Sequence, residues 1–180
     1  MITHLFFVNQ PVNRVISGGN FHGMYIGMAL DQLTYAMSIL CNISERRLER
    51  LLNPALNGFL PEFLVTNSGL NSGLMIVQYV SAGITSENRQ LANPATVGNI
   101  PTCNGTEDIV PMAGWAARKA IQSVNNTFEV LALELFSACL WLKPFHLIIL
   151  LRRVHHNYNI FINIFENRFR ILIPMYLSFA

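Results

Sequence analysis

Between residues 121 and 142, Ile121, Val124, Phe128, Leu131, Leu135, Ala138 and Leu142 recur at alternating intervals of three and four. That is the period of a helix, and it places the set on one face. Val130, Leu133, Phe136 and Leu140 are apolar as well, so this helix is greasy around most of its circumference and belongs inside a multi-helix body. The same period appears upstream. Ile26, Ala29, Leu33, Met37 and Leu40 form a stripe expected to face inward over residues 24–40. Residues 44–52 continue or restart that helix, with Leu48, Leu51 and Leu52 inward and Glu45, Arg46, Glu49 and Arg50 outward. Leu74, Val77, Ser81, Ile84, Asn88 and Leu91 mark another helix, with Pro94 as its stop. Its middle, Ser81-Ala82-Gly83, puts a glycine in a helix interior at a cost of about 1 kcal/mol, which a second helix crossing closely there would offset. No segment alternates persuasively with the period of a strand. The expected fold class is all-α, a bundle of long helices.

A bundle must decide which faces to hide, and here charge is scarce. Only 12% of residues are charged, against about 25% in ordinary globular chains, while 52% are hydrophobic. Many faces must therefore be covered, in a core or against another subunit. The formal net charge of +2 gives no broad footprint for nucleic acid, and only Arg152-Arg153 and Arg168 with Arg170 cluster, late in the chain. A nucleic-acid partner is not expected. Cys41, Cys103 and Cys139 are odd in number and far apart, which fits reduced thiols in a cytoplasmic setting, and none has a partner at metal-ligand spacing. His155-His156 are adjacent and cannot both face one ion from a helix, so no metal is expected. Leu5-Phe6-Phe7-Val8 is too short for the apolar core of a signal peptide. From Lys143 onward Arg152, Arg153, Glu166, Arg168 and Arg170 keep every uncharged apolar run below about 18 residues, so no membrane span is expected.

Two irregular stretches, 53–73 and 93–110, are long enough to call for a functional or packing reason. A third feature is SGGNFHG at 17–23, with three glycines around one phenylalanine and one histidine. It is not a dinucleotide fingerprint, because Gly18 and Gly19 are adjacent and Gly23 lacks the later acidic partner. No phosphate-binding G-x-x-x-x-G-K-[ST] occurs either.

Taken in order, SGGNFHG (17–23), ISERRLERLL (43–52), LPEFL (60–64), GLNSGLM (69–75), SENRQLANPATV (86–97) and IPTCNGTEDIV (100–110) resemble the aromatic amino acid ammonia-lyases, most closely their histidine-acting branch. The likeness runs along residues 13–142, leaving an unmatched segment 1–12 and a divergent apolar tail 143–180. It implies an all-helical fold assembled as a homotetramer, with each active site drawn from several subunits. It implies removal of ammonia from an L-amino acid to give a trans-unsaturated acid such as urocanate. The family does this with a methylidene-imidazolone cyclised from its own Ala-Ser-Gly. No Ala-Ser-Gly occurs in these residues, and Ser81-Ala82-Gly83 has the letters in another order. The resemblance therefore implies an incomplete catalytic core, inactive alone, that binds its small amino acid substrate only when other subunits complete the site.

Two site positions carry over by resemblance. Phe21 matches the substrate-binding ring beside the electrophile. Glu107 matches an acidic position, catalytic and substrate-binding, where a carboxylate can accept a proton or hold a protonated amine or imidazole. Phenylalanine and tyrosine enzymes generally carry Gln there, so Glu107 favours histidine. Met24 and Thr106 also depart from the family pattern, and Ile109, where histidine enzymes usually have His, keeps tyrosine or phenylalanine lyases and aminomutases open as alternatives. A reading from a different class is a non-catalytic helical oligomerisation module. His22 reads as a hydrogen-bonded structural residue, and Asn71, Glu87 and Asn88 as helix-entry and interhelical hydrogen-bonding residues. Glu107 has a second reading as an N-terminal carboxylate for the helix that begins near residue 111.

Overall fold

The computed structural model describes residues 3–7, 14–18 and 22–141. Four helices make up the body: α1 (Met24–Leu52), α2 (Pro54–Asn57), α3 (Met75–Leu91) and α4 (Ala113–Trp141). The all-α expectation holds for this body, and residues 44–52 continue α1 without a break. Ahead of it β1 (Thr3–Phe7) pairs antiparallel with β2 (Arg14–Gly18), Leu5 opposite Ile16. The sequence reading passed over this pair, since five-residue segments are too short to display alternation even when rich in β-branched and aromatic residues. The chain forms two compact units, Met1–Arg46 with Tyr79–Val130, and Arg47–Gln78 with Leu131–Ala180. The segment 143–180 lies outside the described residues, as does Leu142.

In the first unit the helices turn a polar seam inward. Gly27, Asp31, Thr34, Ser38, Cys41 and Glu45 are buried along α1, alternating at four and three, the spacing of a heptad seam, with Ser44 buried beside them. The apolar stripe expected to face inward points out instead: Ile26 is 66% exposed, Leu33 and Leu40 are also exposed, and only Met37 is half-buried. Glu45, expected outside, is buried and takes both guanidinium bonds of Arg46 at 2.5 and 2.6 Å. On α4 the expected stripe fails in the same way, with Ile121 and Phe128 exposed and Ala116, Lys119, Ala120, Ser123 and Thr127 buried. The physical reason is side-chain size. Serines, threonines, glycine and alanine let helix backbones approach more closely than leucines would, and their hydroxyls can be satisfied locally. Thr34 donates to the Leu30 carbonyl at 2.8 Å and Thr127 to that of Ser123 at 2.7 Å.

Bonds between helices complete the seam. Asn88 on α3 donates to the Ser123 carbonyl and the Thr127 hydroxyl of α4 at 3.3 and 3.1 Å, while Cys41 and Thr85 meet at 3.4 Å. Asn126 donates to Glu87 at 3.0 Å, so Glu87 and Asn88 are both interhelical, as expected. On α3 the sequence reading of the stripe was right, with Ser81 and Asn88 buried and Ile84 and Leu91 half-buried. The explanation given for Gly83 was not, because a side chain there would meet open space; the small residue at the contact is Ser81. Two atoms in the seam, Asn88 Oδ1 and Ser123 Oγ, have no protein partner, at a cost of about 1–3 kcal/mol each.

The second unit has the opposite interior. Leu48, Leu52, Leu60, Leu64, Leu74, Ala132, Leu133 and Phe136 form one apolar cluster, with Leu51, Phe63 and Val77 packed against it. The stretch 53–73 is thus no bare loop, since it delivers Leu60 and Leu64 to this core. Asn53 caps α2 by accepting from the Ala55 amide at 3.0 Å, Pro54 starts that helix, and Gly58 ends it in the left-handed region at φ 80°. Asn71 then accepts from the Gly73 amide at 3.1 Å on entry to α3. Only glycine fits at 73, because its φ is 49° and a Cβ would stand 2.5 Å from the Phe63 carbonyl oxygen. Arg47 pairs with Glu134 through two bonds of 2.5 and 2.7 Å.

A single buried carboxylate ties the first unit together. Asp31 on α1 accepts from the Ala95 amide at 3.1 and 3.0 Å, from the Thr96 amide at 2.9 Å and from the Thr96 hydroxyl at 2.8 Å. Lys119 of α4 stands 3.2 Å away and also donates to the Asn93 carbonyl. Burial alone would raise the Asp31 pKa, but the Thr96 and Ala95 amides, the Thr96 hydroxyl and Lys119 outweigh it and hold the carboxyl below the ordinary aspartate range.

Two outcomes follow from these interiors. Leu48→Ala should cost about 2–5 kcal/mol in urea unfolding, whereas Leu33→Ala should cost no more than about 0.5 kcal/mol; the reverse order would refute the assignment of faces. Because Asp31 titrates below the usual aspartate value of about 3.9, its clamp contributes fully above that pH and is lost as pH falls through the lower folded-state value. Asp31→Asn leaves Lys119 unpaired, should destabilise by about 3–5 kcal/mol at pH 7, and should remove this part of the acid dependence when melting is followed from pH 6 to pH 3.

Candidate functional site

The link from α3 to α4 rises from the Asp31 clamp at residues 93–96 and closes on itself as a hairpin. The Thr102 amide donates to the Glu107 carbonyl at 2.9 Å and the Glu107 amide returns a bond to Thr102 at 3.3 Å. Between them Cys103–Gly105 makes a tight 3-10 turn, with Cys103 and Asn104 in the left-handed region at φ 52° and 57°. Asn99 closes the base by donating to the Asp108 carbonyl at 2.8 Å and accepting from the Val110 amide at 3.1 Å. These are the asparagine- and glycine-rich contacts that turn chemistry favours. The sequence reading left the stretch irregular, because none of its bonds has a periodic signature.

Glu107 stands on the returning arm of this hairpin. The Thr102 hydroxyl donates to its Oε2 at 2.5 Å. That bond first, then the Cys103 thiol, with a smaller contribution from His22, outweigh slight desolvation and hold the Glu107 carboxyl below the ordinary glutamate range. It is an anion at neutral pH. Its oxygen is engaged by Thr102 within the turn, so the reading of Glu107 as a carboxylate on the first turn of α4 is not what the structure presents; α4 opens instead with the Trp115 and Ala116 amides both bonded to the Met112 carbonyl.

Phe21 lies outside the described residues, but the two positions after it do not. His22 Nε2 is 2.9 Å from the Ile109 carbonyl oxygen, and a carbonyl can only accept, so Nε2 carries the proton. Gly23 follows at φ 81° and its carbonyl accepts from the Gly27 amide, which starts α1. A side chain at Gly27 would stand 2.9 Å from the Thr96 methyl and 3.2 Å from Ala113. The end of the Phe-His-Gly motif, the Asp31 clamp and the Glu107 hairpin therefore share one corner of the first unit. The sequence pointed to Phe21, His22 and Glu107 but missed Asp31, Asn99, Thr102 and Lys119. Only Asp31 had a usable signal, its place in the four-three spacing from Gly27 to Cys41.

Other chemistries find little support in the described residues. No group of three His, Cys, Asp or Glu side chains among them could hold a metal ion. Burial pushes the Cys41 and Cys139 thiols up, which makes them poor nucleophiles. Nor can Ser81-Ala82-Gly83 stand in for a cyclised tripeptide: it lies inside α3 with Ser81 fully buried, where helical hydrogen bonding fixes the backbone away from the tight turn that cyclisation needs. No described helix is long and apolar enough to cross a membrane. An open groove of about 290 Å³ adjoins the clamp beside Met28, Gln32, Tyr35 and Pro94, but the only carboxylate in its lining, Asp31, already has its oxygens taken.

Comparison with known proteins agrees with this geometry. A histidine ammonia-lyase of Treponema denticola is 54% identical over 124 residues, covering 69% of this chain and 24% of that protein. The crystal structure of histidine ammonia-lyase from Trypanosoma cruzi superposes with a TM-score of 0.69 at 48% identity, over 74% of this chain and 26% of the other. Tyrosine aminomutase from Streptomyces globisporus gives the same TM-score at 36% identity, over 74% of this chain and 25% of the other. The chain thus spans about a quarter of the length of these relatives. A sequence model of the aromatic amino acid lyases matches residues 4–148, which takes in the Phe-His-Gly motif, all four helices and the Glu107 hairpin, and by that match the chain belongs to the aromatic amino acid lyase family.

Proposed function

We propose that this chain forms part of the wall of an ammonia-lyase active site of the histidine type, and that it is inactive alone. The observation that carries the reading is Glu107, a carboxylate kept ionised by Thr102 in a chain about half identical to histidine ammonia-lyases. A general base working near neutrality needs a pKa near 7, and a lowered one makes a poor proton acceptor. The role supported best is therefore electrostatic: Glu107 holds the positive ammonium or imidazolium of an amino acid substrate, with the Phe21 ring as its apolar neighbour. Acting as a base would require further walls that exclude water and raise the pKa. The methylidene-imidazolone would supply the electrophile for loss of ammonia. This chain has no Ala-Ser-Gly and its nearest string is locked in α3, so no step is assigned to that group here.

The identity to histidine enzymes, higher than to the aminomutase, supports histidine over tyrosine or phenylalanine as the substrate class. A second reading has its own observation. Tyr25, Ile26, Leu33, Tyr35, Ile39 and Leu40 leave an apolar face along α1 while its polar face is buried. Contiguous apolar surface of this kind marks an interaction site. We read it as the face that meets further subunits in a homo-oligomer, tetrameric by resemblance and cytoplasmic, and the oligomerisation role is compatible with an incomplete catalytic one.

Purified chain incubated with L-histidine should show no growth of urocanate absorbance, and turnover would overturn the claim of inactivity. Co-expressed with a full-length histidine ammonia-lyase, it should co-purify; two proteins that never associate would remove the subunit reading. In carbon-13 NMR the Glu107 carboxyl should titrate below the usual glutamate value of about 4.3, and Thr102→Val should move its midpoint upward. The sign is that of a depressed acid: the Thr102 bond contributes above pH 4.3 and is lost as pH falls through the folded-state value.

A further inference from the structure

The Glu107 hairpin is closed by its own bonds, but those bonds do not orient it. Asn99, Thr102 and Glu107 all bond within residues 99–110, so they fix the hairpin's internal shape and leave its direction undetermined. Two attachments outside the hairpin are seen. One is at its stem, where Asp31 and Lys119 hold residues 93–96. The other is on the returning arm, where His22 reaches the Ile109 carbonyl two residues beyond Glu107 and across 87 residues of sequence. Both feet of the hairpin join fixed elements, the clamp at 93–96 and α4 from Ala113, so the freedom left to it is a tilt about the line through the linkers 97–98 and 111–112. A second tether on the opposite arm removes that freedom.

We propose that His22 is a positioning residue, whose Nε2–H bond to the Ile109 carbonyl fixes the direction of the hairpin and so sets where the Glu107 carboxylate stands relative to the start of α1. His22 touches no substrate in this role. The residue two before α1 and the residue two after Glu107 are joined by one bond, so the hairpin is referenced to the start of that helix. Ile109 contributes through its backbone, which explains how its side chain can be 53% exposed while its carbonyl is engaged. The direction of an N–H···O bond matters here more than its strength, since the net worth of such a bond is only about 0.5–1.5 kcal/mol.

The inference rests on the reading of Glu107 as a substrate-facing group, but its test needs no turnover, so a failure of the lyase reading and a failure of the tether are told apart. Backbone residual dipolar couplings would be measured on the whole chain for residues 102–108, with amides of α4 between 120 and 130 as the internal reference. His22→Leu should reduce the hairpin couplings by more than half while the α4 couplings stay as they were. His22→Gln, whose side-chain amide can still donate to the carbonyl, should restore them, a rescue that general packing would not produce. Hairpin couplings unchanged in His22→Leu would overturn the proposal, and so would equal losses in hairpin and α4 that His22→Gln fails to repair. If His22→Leu does not fold, His22→Asn replaces it, keeping a donor on a stem too short to reach, and the same two results decide.

Discussion

The turn that leaves α3 is held to α1 and α4 by the carboxylate of Asp31, and the placing of the hairpin above it depends on that hold. Taking a carboxylate out of water costs several kcal/mol, and it is tolerated only when its lone pairs are filled and a counter-charge is near. Here two backbone amides, one hydroxyl and one ammonium fill them, and each donor comes from a segment that must be fixed: the turn after α3 supplies three, α4 the fourth. The lowered pKa is the electrostatic record of that completeness, since burial by itself acts in the other direction. Lys119 extends the constraint by bonding to Asn93, so the end of α3 is held from two sides. With the stem fixed, the chain can close a hairpin whose side chains project from a defined place.

The polar seam obeys a related constraint. Buried hydroxyls and amides stabilise little on average, and two seam atoms even lack partners. What small side chains provide is close approach of helices, and the hydrogen bonds make that approach specific in register. The second unit shows the alternative, with leucines and one phenylalanine filling wider gaps. Two interiors of opposite character occur along the same helices.

That difference explains what the sequence could and could not reveal. The three long helices were legible, because apolar residues at three- and four-residue spacing mark a helix whichever way the stripe points, but the four-residue α2 and the first turns of α4 before Ile121 carry no such stripe and were not. The direction was not legible. Ile26, Leu33, Ile121 and Phe128 were assigned inward because apolar residues usually face the core, and in the first unit small and polar residues take the interior while these stay exposed. On α3, where the stripe mixes Ser81 and Asn88 with leucine and valine, the same reasoning named the buried face correctly. At the site, Glu107 and the Phe-His-Gly motif came from resemblance alone. Their supports, the Thr102 hydroxyl and the Asn99 side-chain amide, act within one short turn and leave no periodic pattern in the letters.

The hairpin's closure has a consequence for how such a chain can drift over generations. Its closing bonds run through the main chain of 102, 107, 108 and 110 and the side chain of Asn99, so they are indifferent to what Thr106 and Ile109 carry outward, whereas Asn104 at φ 57° is held to residues that accept the left-handed region. A lineage can rewrite Thr106 or Ile109 one letter at a time without unravelling the turn, so the surface of the hairpin can change while the scaffold beneath it stands still.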